Sequence, residues 1–170
     1  MHKLRHAPGD PEEALRSRLE SVAGPGPVYV LGLGYADKAD DGAGVLLAET
    51  LRKPFPEFSF SEHDGVEGTV LDISEREGAA TVFFVDAAEL GEAPGTVLVV
   101  PGDMIDDREI TTHRVAVALM AAILERTGKK SAVICIQPGT IRFRAEVSGP
   151  VSSAVETLSR VLTRIMRERN

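Results

Sequence analysis

Three short stretches of this chain each hold one metal-capable side chain. They are Asp41 in Ala39-Asp40-Asp41-Gly42-Ala43-Gly44, Asp86 in Phe84-Val85-Asp86-Ala87-Ala88, and His113 after Thr111-Thr112. Each falls where a strand has just ended or a helix is about to begin. In an open α/β sheet that edge is where sites are built. Two carboxylates and an imidazole suit zinc, nickel, manganese or iron, and three protein ligands leave positions for water or a substrate group. Each residue also has a plainer use: Asp41 as a helix cap, Asp86 as a turn-former, His113 as a structural residue in a first helical turn.

Other ionisable groups point to less. Gly32-Leu33-Gly34 invites a dinucleotide reading, but the third glycine of that fingerprint would fall at Asp37, which repels a pyrophosphate. No Walker-type glycine-lysine-serine/threonine loop occurs. Asp40 is expected to face away from Asp41 and to favour the helix dipole. His63-Asp64-Gly65 is a tight turn before it is a supporting group of the site. Asp106-Asp107-Arg108-Glu109 is a solvated loop. Cys135, inside Ala132-Val133-Ile134-Cys135-Ile136, is a small buried hydrophobe. Ser148, Ser152 and Ser153 have no nearby histidine in sequence, so a serine-hydrolase arrangement has no support.

The elements that must position these residues follow from periodicity. Residues 1–9 are polar and frayed. Asp10 and Pro11 start a helix carrying Leu15, Leu19 and Val22, and Gly24-Pro25-Gly26-Pro27 stops it. Val28 to Leu33 is an apolar run of the kind buried on both faces of a parallel sheet. Asp41 to Leu51 is a helix and Phe58 to Ser61 a strand. Thr69 to Glu77 is a weaker helix, and Thr81 to Val85 the strongest strand. Thr96 to Val100 is another strand, linked to the previous one too briefly for a crossover helix, so the two are expected to run antiparallel. Thr112 caps a helix to about Arg126, Ala132 to Ile136 is the last strand, and Pro150 or Val151 opens a helix to about Arg167. Alternating strands and helices predict an α/β fold: a three-layer sandwich with a twisted, mostly parallel but mixed sheet of about five strands, flanked by helices.

The totals bound the function. A chain of 170 residues suits a single domain, 43% apolar and 26% charged. A net charge of −7 argues against a nucleic-acid partner. One cysteine allows no internal disulfide, no apolar stretch resembles a signal peptide or a membrane span, and a cytoplasmic protein is expected.

Gly34-x5-Asp40-Asp41-Gly42-x-Gly44, followed by Leu46-Leu47-Ala48-Glu49, resembles the opening motif of the [NiFe]-hydrogenase maturation endopeptidases. Phe84-Val85-Asp86-Ala87 with Gly91 and Pro94-Gly95 is similar to their second motif, and Met104-Ile105 leading to Thr111-Thr112-His113 to their histidine segment. Ile136-Gln137-Pro138 and the helix holding Ala154-Val155-Glu156 match the C-terminal pattern. Four motifs run in order from about Val28 to about Leu162. The threonine pair before His113 is most similar to the hydrogenase 3 and archaeal branch. The resemblance implies that Asp41, Asp86 and His113 contact metal and carry catalysis. It implies nickel delivered by the substrate, for which zinc or cadmium could substitute in a crystal. It further implies a monomeric peptidase, metal-dependent or aspartyl in type, that removes a C-terminal extension from the precursor of a hydrogenase large subunit. A non-catalytic factor that binds nickel or the precursor is the alternative. One departure stands out: the family usually has asparagine after the glycine matched by Gly34, and this chain has Tyr35.

Overall fold

The two continuous apolar runs become the middle of the sheet. β1 (Val28–Gly32) is buried throughout, and β3 (Thr81–Ala87) is buried except at its last residue. Burial on both faces removes the polar alternation that an exposed strand would show. The structure, a computed structural model, describes residues 10–105 and 112–170. The expectations placed on 1–9, 106–109 and Thr111 lie outside the described residues, as does the side chain of His113.

Among the described residues the sheet has five strands in the order β2 (Ser59–Ser61), β1, β3, β5 (Lys130–Ile136) and β4 (Val97–Pro101). The first four are mutually parallel, and β4 runs antiparallel to β5. β3 and β4 do run in opposite directions, as their short link predicts. They are not neighbours, however: β5 lies between them, pairing Asp86 with Cys135 on one side and Leu98 with Cys135 on the other.

Helices cover both faces, giving the expected three layers. α1 (Pro11–Val22), α2 (Ala43–Arg52) and α5 (Gly149–Arg169) pack on one face around Val30, Phe83, Val85 and Ile134. α3 (Val66–Glu75) and α4 (Thr112–Arg126) pack on the other around Leu31, Val82, Phe84 and Val133. Asp10 caps α1 through the Glu12 N–H at 3.0 Å. α3 starts three residues before the sequence expectation. Val66 is buried against the sheet and sets the true first turn, which Gly68 disguises as a break. The helix expected from Asp41 begins as a 3-10 turn, Ala39–Gly42, that runs into α2. Among the described residues no helix is long and apolar enough to cross a membrane.

Candidate active site

Asp41 sits in the 3-10 turn between β1 and α2. The loop reaches it only because Gly34 has φ of 109°, a backbone region that disfavours side chains; a Cβ there would lie 2.0 Å from the Asp41 carbonyl oxygen. The next residue, Tyr35, donates its backbone N–H to Asp41 Oδ2 at 3.0 Å. That bond comes from the main chain, so tyrosine in place of the family's asparagine leaves it intact. The Tyr35 ring is half exposed, with Lys38 Nζ 4.5 Å from its centroid.

Asp86 is the penultimate residue of β3 and is 9% exposed. The alternation that puts Val82 and Phe84 on the α3/α4 face carries Asp86 to the same face, beside Cys135 in register. Two contacts tie Asp86 to the Asp41 loop. Leu33 donates its N–H to the carbonyl of Val85 at 2.8 Å. Gly44, in the first turn of α2, comes so close that a Cβ on it would be 2.2 Å from the same oxygen. The two carboxylate-bearing segments therefore share one edge of the sheet. His113 lies in the first turn of α4. That helix ends just before β5 begins, so its N-terminus is at the end of the layer nearest the strand termini that carry Asp41 and Asp86. Among the described residues no three histidine, cysteine, aspartate or glutamate side chains form a metal-holding cluster, and the imidazole that would complete the trio is outside that set.

Two residues prove to be structural keys to this edge. Gln137 is buried, accepts the N–H groups of Leu90 (2.7 Å) and Glu92 (3.3 Å), and donates to the Pro138 carbonyl at 3.0 Å. It fixes the chain that leaves Asp86. Asp40 is fully buried and does more than favour a helix dipole. Its Oδ2 accepts from Gly139 N–H (2.7 Å), Thr140 N–H (3.0 Å) and the Ser148 hydroxyl (2.8 Å), and its Oδ1 from Ser148 N–H (2.6 Å). Burial pushes the Asp40 carboxyl up, but these bonds outweigh it and hold the group below the usual carboxylate range. The Ser148 hydroxyl is thereby committed to structure. Asp40 also donates its N–H to Thr140 O at 3.0 Å, and Arg144 donates its N–H to Asp37 O at 2.7 Å. The 138–148 loop is thus laced to the loop that carries Asp41. Both loops contain a left-handed non-glycine residue, Ala39 at φ 46° and Arg144 at φ 57°. Such strain persists only where neighbours hold it, and it gathers at working sites.

The remaining candidates are structural. His63 and Asp64 lie in a 3-10 turn, Glu62–Asp64, in which Asp64 and Ser61 cap each other and Asp64 pairs with Arg52, so the turn reading holds. Cys135 is buried. A cavity of about 370 Å³ opens at the opposite edge of the sheet, lined by Arg18, Pro101, Met104, Glu125 and Lys130, and contains none of the three candidate residues.

The three-layer α/β sandwich brings two carboxylate-bearing segments, the end of β3 and the turn that follows β1, to one edge of the sheet, the place where this class of α/β fold builds its sites. A family model for hydrogenase maturation protease (HycI) matches residues 65–165, which include Asp86 and His113 and begin after Asp41. The chain is 30% identical over 132 residues to the hydrogenase 3 maturation protease of Escherichia coli K12, covering 76% of this chain and 84% of that one. The crystal structure of the [NiFe] hydrogenase maturation protease HycI from Thermococcus kodakarensis superimposes with a TM-score of 0.74 at 26% identity, over 88% of this chain and 99% of that one. The E. coli hydrogenase maturating endopeptidase HybD shares the fold with a TM-score of 0.65 at 20% identity, over 84% of this chain and 93% of that one. The chain belongs to the hydrogenase maturation protease family.

Proposed function

We propose that this peptidase removes the C-terminal extension of a nickel-loaded [NiFe]-hydrogenase large-subunit precursor, with Asp41, Asp86 and His113 as its metal-contacting and catalytic residues. The observation that carries the reading is the shared sheet edge of Asp41 and Asp86, joined through Leu33 and Val85 in a chain of this family. The nickel is cargo of the precursor, not a resident cofactor. Two carboxylates and an imidazole suit it as donors, and it would polarise the scissile carbonyl while fixing its place. The protein supplies the rest. Tyr35 N–H orients Asp41, the Gln137 clamp shapes the chain after Asp86, and one carboxylate takes the proton from the attacking water. The same reading makes the protein a cytoplasmic monomer.

Replacement of Asp41, Asp86 or His113 by alanine is expected to abolish trimming of purified nickel-loaded precursor, read as a mobility shift of the large subunit. A triple-alanine variant that still trims the precursor would refute the site. A wild type that binds the nickel-loaded precursor but never cuts it would refute the peptidase assignment.

A further inference from the structure

The chain has eight aromatic residues, six Phe and two Tyr. All are buried or half-buried except Tyr35 and Phe143. Both stand on the pair of loops that Asp40 laces together, and Ile141, 62% exposed, is on the same loop as Phe143. Three of the seven large exposed apolar residues of the described structure therefore share one lip. Cations alternate with them. Lys38 lies over the Tyr35 ring, Arg144 lies over the Phe143 ring at 5.2 Å, and Arg142 is exposed between them in sequence. Among the described residues none of these three cations is in an ion pair, whereas Arg16, Arg52 and Arg160 are. Asp37 stands within the lip and Glu146 just past it in sequence, so three cations meet two carboxylates and the lip keeps a net positive charge.

An apolar and cationic lip runs against the overall balance of a chain of net charge −7. Ring faces and parked guanidinium groups suit a partner strand whose apolar and acidic side chains alternate. The lip is also continuous with the site: the residue that anchors it, Asp40, is bonded in sequence to Asp41. We propose that residues 35–38 and 141–144 form a docking surface for the C-terminal extension of the precursor, held as an extended peptide with acidic and apolar side chains. The surface sets the affinity and register with which the extension passes the cutting site. This inference rests on the processing function proposed above.

The test uses the full-length protein and the nickel-loaded precursor of its cognate large subunit. The variants are R142E/R144E and I141S/F143S, each first shown to melt like the wild type. Both are expected to raise KM for precursor cleavage about tenfold or more while kcat stays within about twofold. Wild-type KM is expected to rise with salt, and R142E/R144E to lose that dependence. Affinity for the mature subunit, which lacks the extension, should be weak and the same in all forms. Wild-type KM in both variants would overturn the lip, as would equal weakening toward the mature subunit, which assigns the surface to the folded body of the partner. A wild-type dimer in sedimentation that I141S/F143S dissolves would overturn it too, since the occupant is then a second copy. If the wild type itself does not cleave, it is the processing function that fails. If it cleaves and the variants match it, only the lip fails.

Discussion

Replacing Asp40 by alanine deletes the acceptor of four hydrogen bonds to a loop about one hundred residues away in sequence. Bonds to a charged group are worth about 1.5–3 kcal/mol each, but a plain sum overshoots. Gly139 is exposed and Thr140 half-buried, so their N–H groups recover water once the loop lifts. What remains is the Ser148 pair and the lost packing, offset in part by the strain released at Ala39 and Arg144, for a net of about 3 kcal/mol. For a chain of this size that is a fall in Tm of about 6–12 °C. In urea it is a midpoint shift of about 1.5 M at a typical slope. Asp40→Asn is a sharper probe. An amide keeps one acceptor oxygen and turns an NH2 toward a donor, so it should lose about half as much. The carboxyl titrates below its ordinary value of about 3.9, so its stabilisation is complete above that pH and is lost as pH falls through the lower folded value. The wild-type advantage over Asp40→Asn should therefore narrow as pH drops below about 4, followed by urea unfolding across a pH series. A loss under about 0.5 kcal/mol in Asp40→Ala, or a gap to Asp40→Asn that widens in acid, would refute the reasoning.

Gly44→Ala should cost at least about 2 kcal/mol in urea unfolding and depress cleavage further than that loss explains, because a Cβ 2.2 Å from the Val85 oxygen forces α2 and the Asp41 turn away from Asp86. Tyr35→Asn should hold its stability within about 1 kcal/mol by thermal melting, since the bond to Asp41 comes from the main chain and the Lys38–ring contact it gives up is an exposed one. Leu162→Ala, at a fully buried position of α5, should lose about 2–5 kcal/mol while its kcat per folded molecule, measured well below its Tm, stays at the wild-type level.

The sequence revealed what local periodicity encodes. Val28 to Leu33 and Thr81 to Val85 are legible as central strands because burial on both faces leaves unbroken apolar runs. α5 is legible because Val155, Leu158, Leu162 and Ile165 repeat at helical spacing. The shared sheet edge of Asp41 and Asp86 is legible because the ends of neighbouring parallel strands lie side by side. Asp40 was not: its partners, Gly139, Thr140 and Ser148, lie in a loop with no period of its own, and nothing local marks a carboxylate as a distant clamp. Gln137 could be noted only as part of a motif, since the N–H groups that donate to it, at Leu90 and Glu92, are forty-odd residues upstream. The seat of β5 between β3 and β4 was equally hidden. A short link announces relative direction, not who is inserted between.

That insertion has a kinetic side. β3 and β4 are joined by the shortest connection between strands among the described residues, 88–96, and closing so short a loop costs little entropy. A nascent chain that has reached Met104 holds both strands and not the one that belongs between them. Its cheapest pairing is then a β3–β4 hairpin, which must open before β5 can enter. We predict that amides of β4 gain a transient protection against hydrogen exchange before those of β5 during refolding, lose it, and regain it as β5 enters, and that stabilising the 88–96 turn slows folding instead of speeding it. Early β4 protection followed by uninterrupted folding would sink the idea. The most local contact this topology offers is one the native protein never makes.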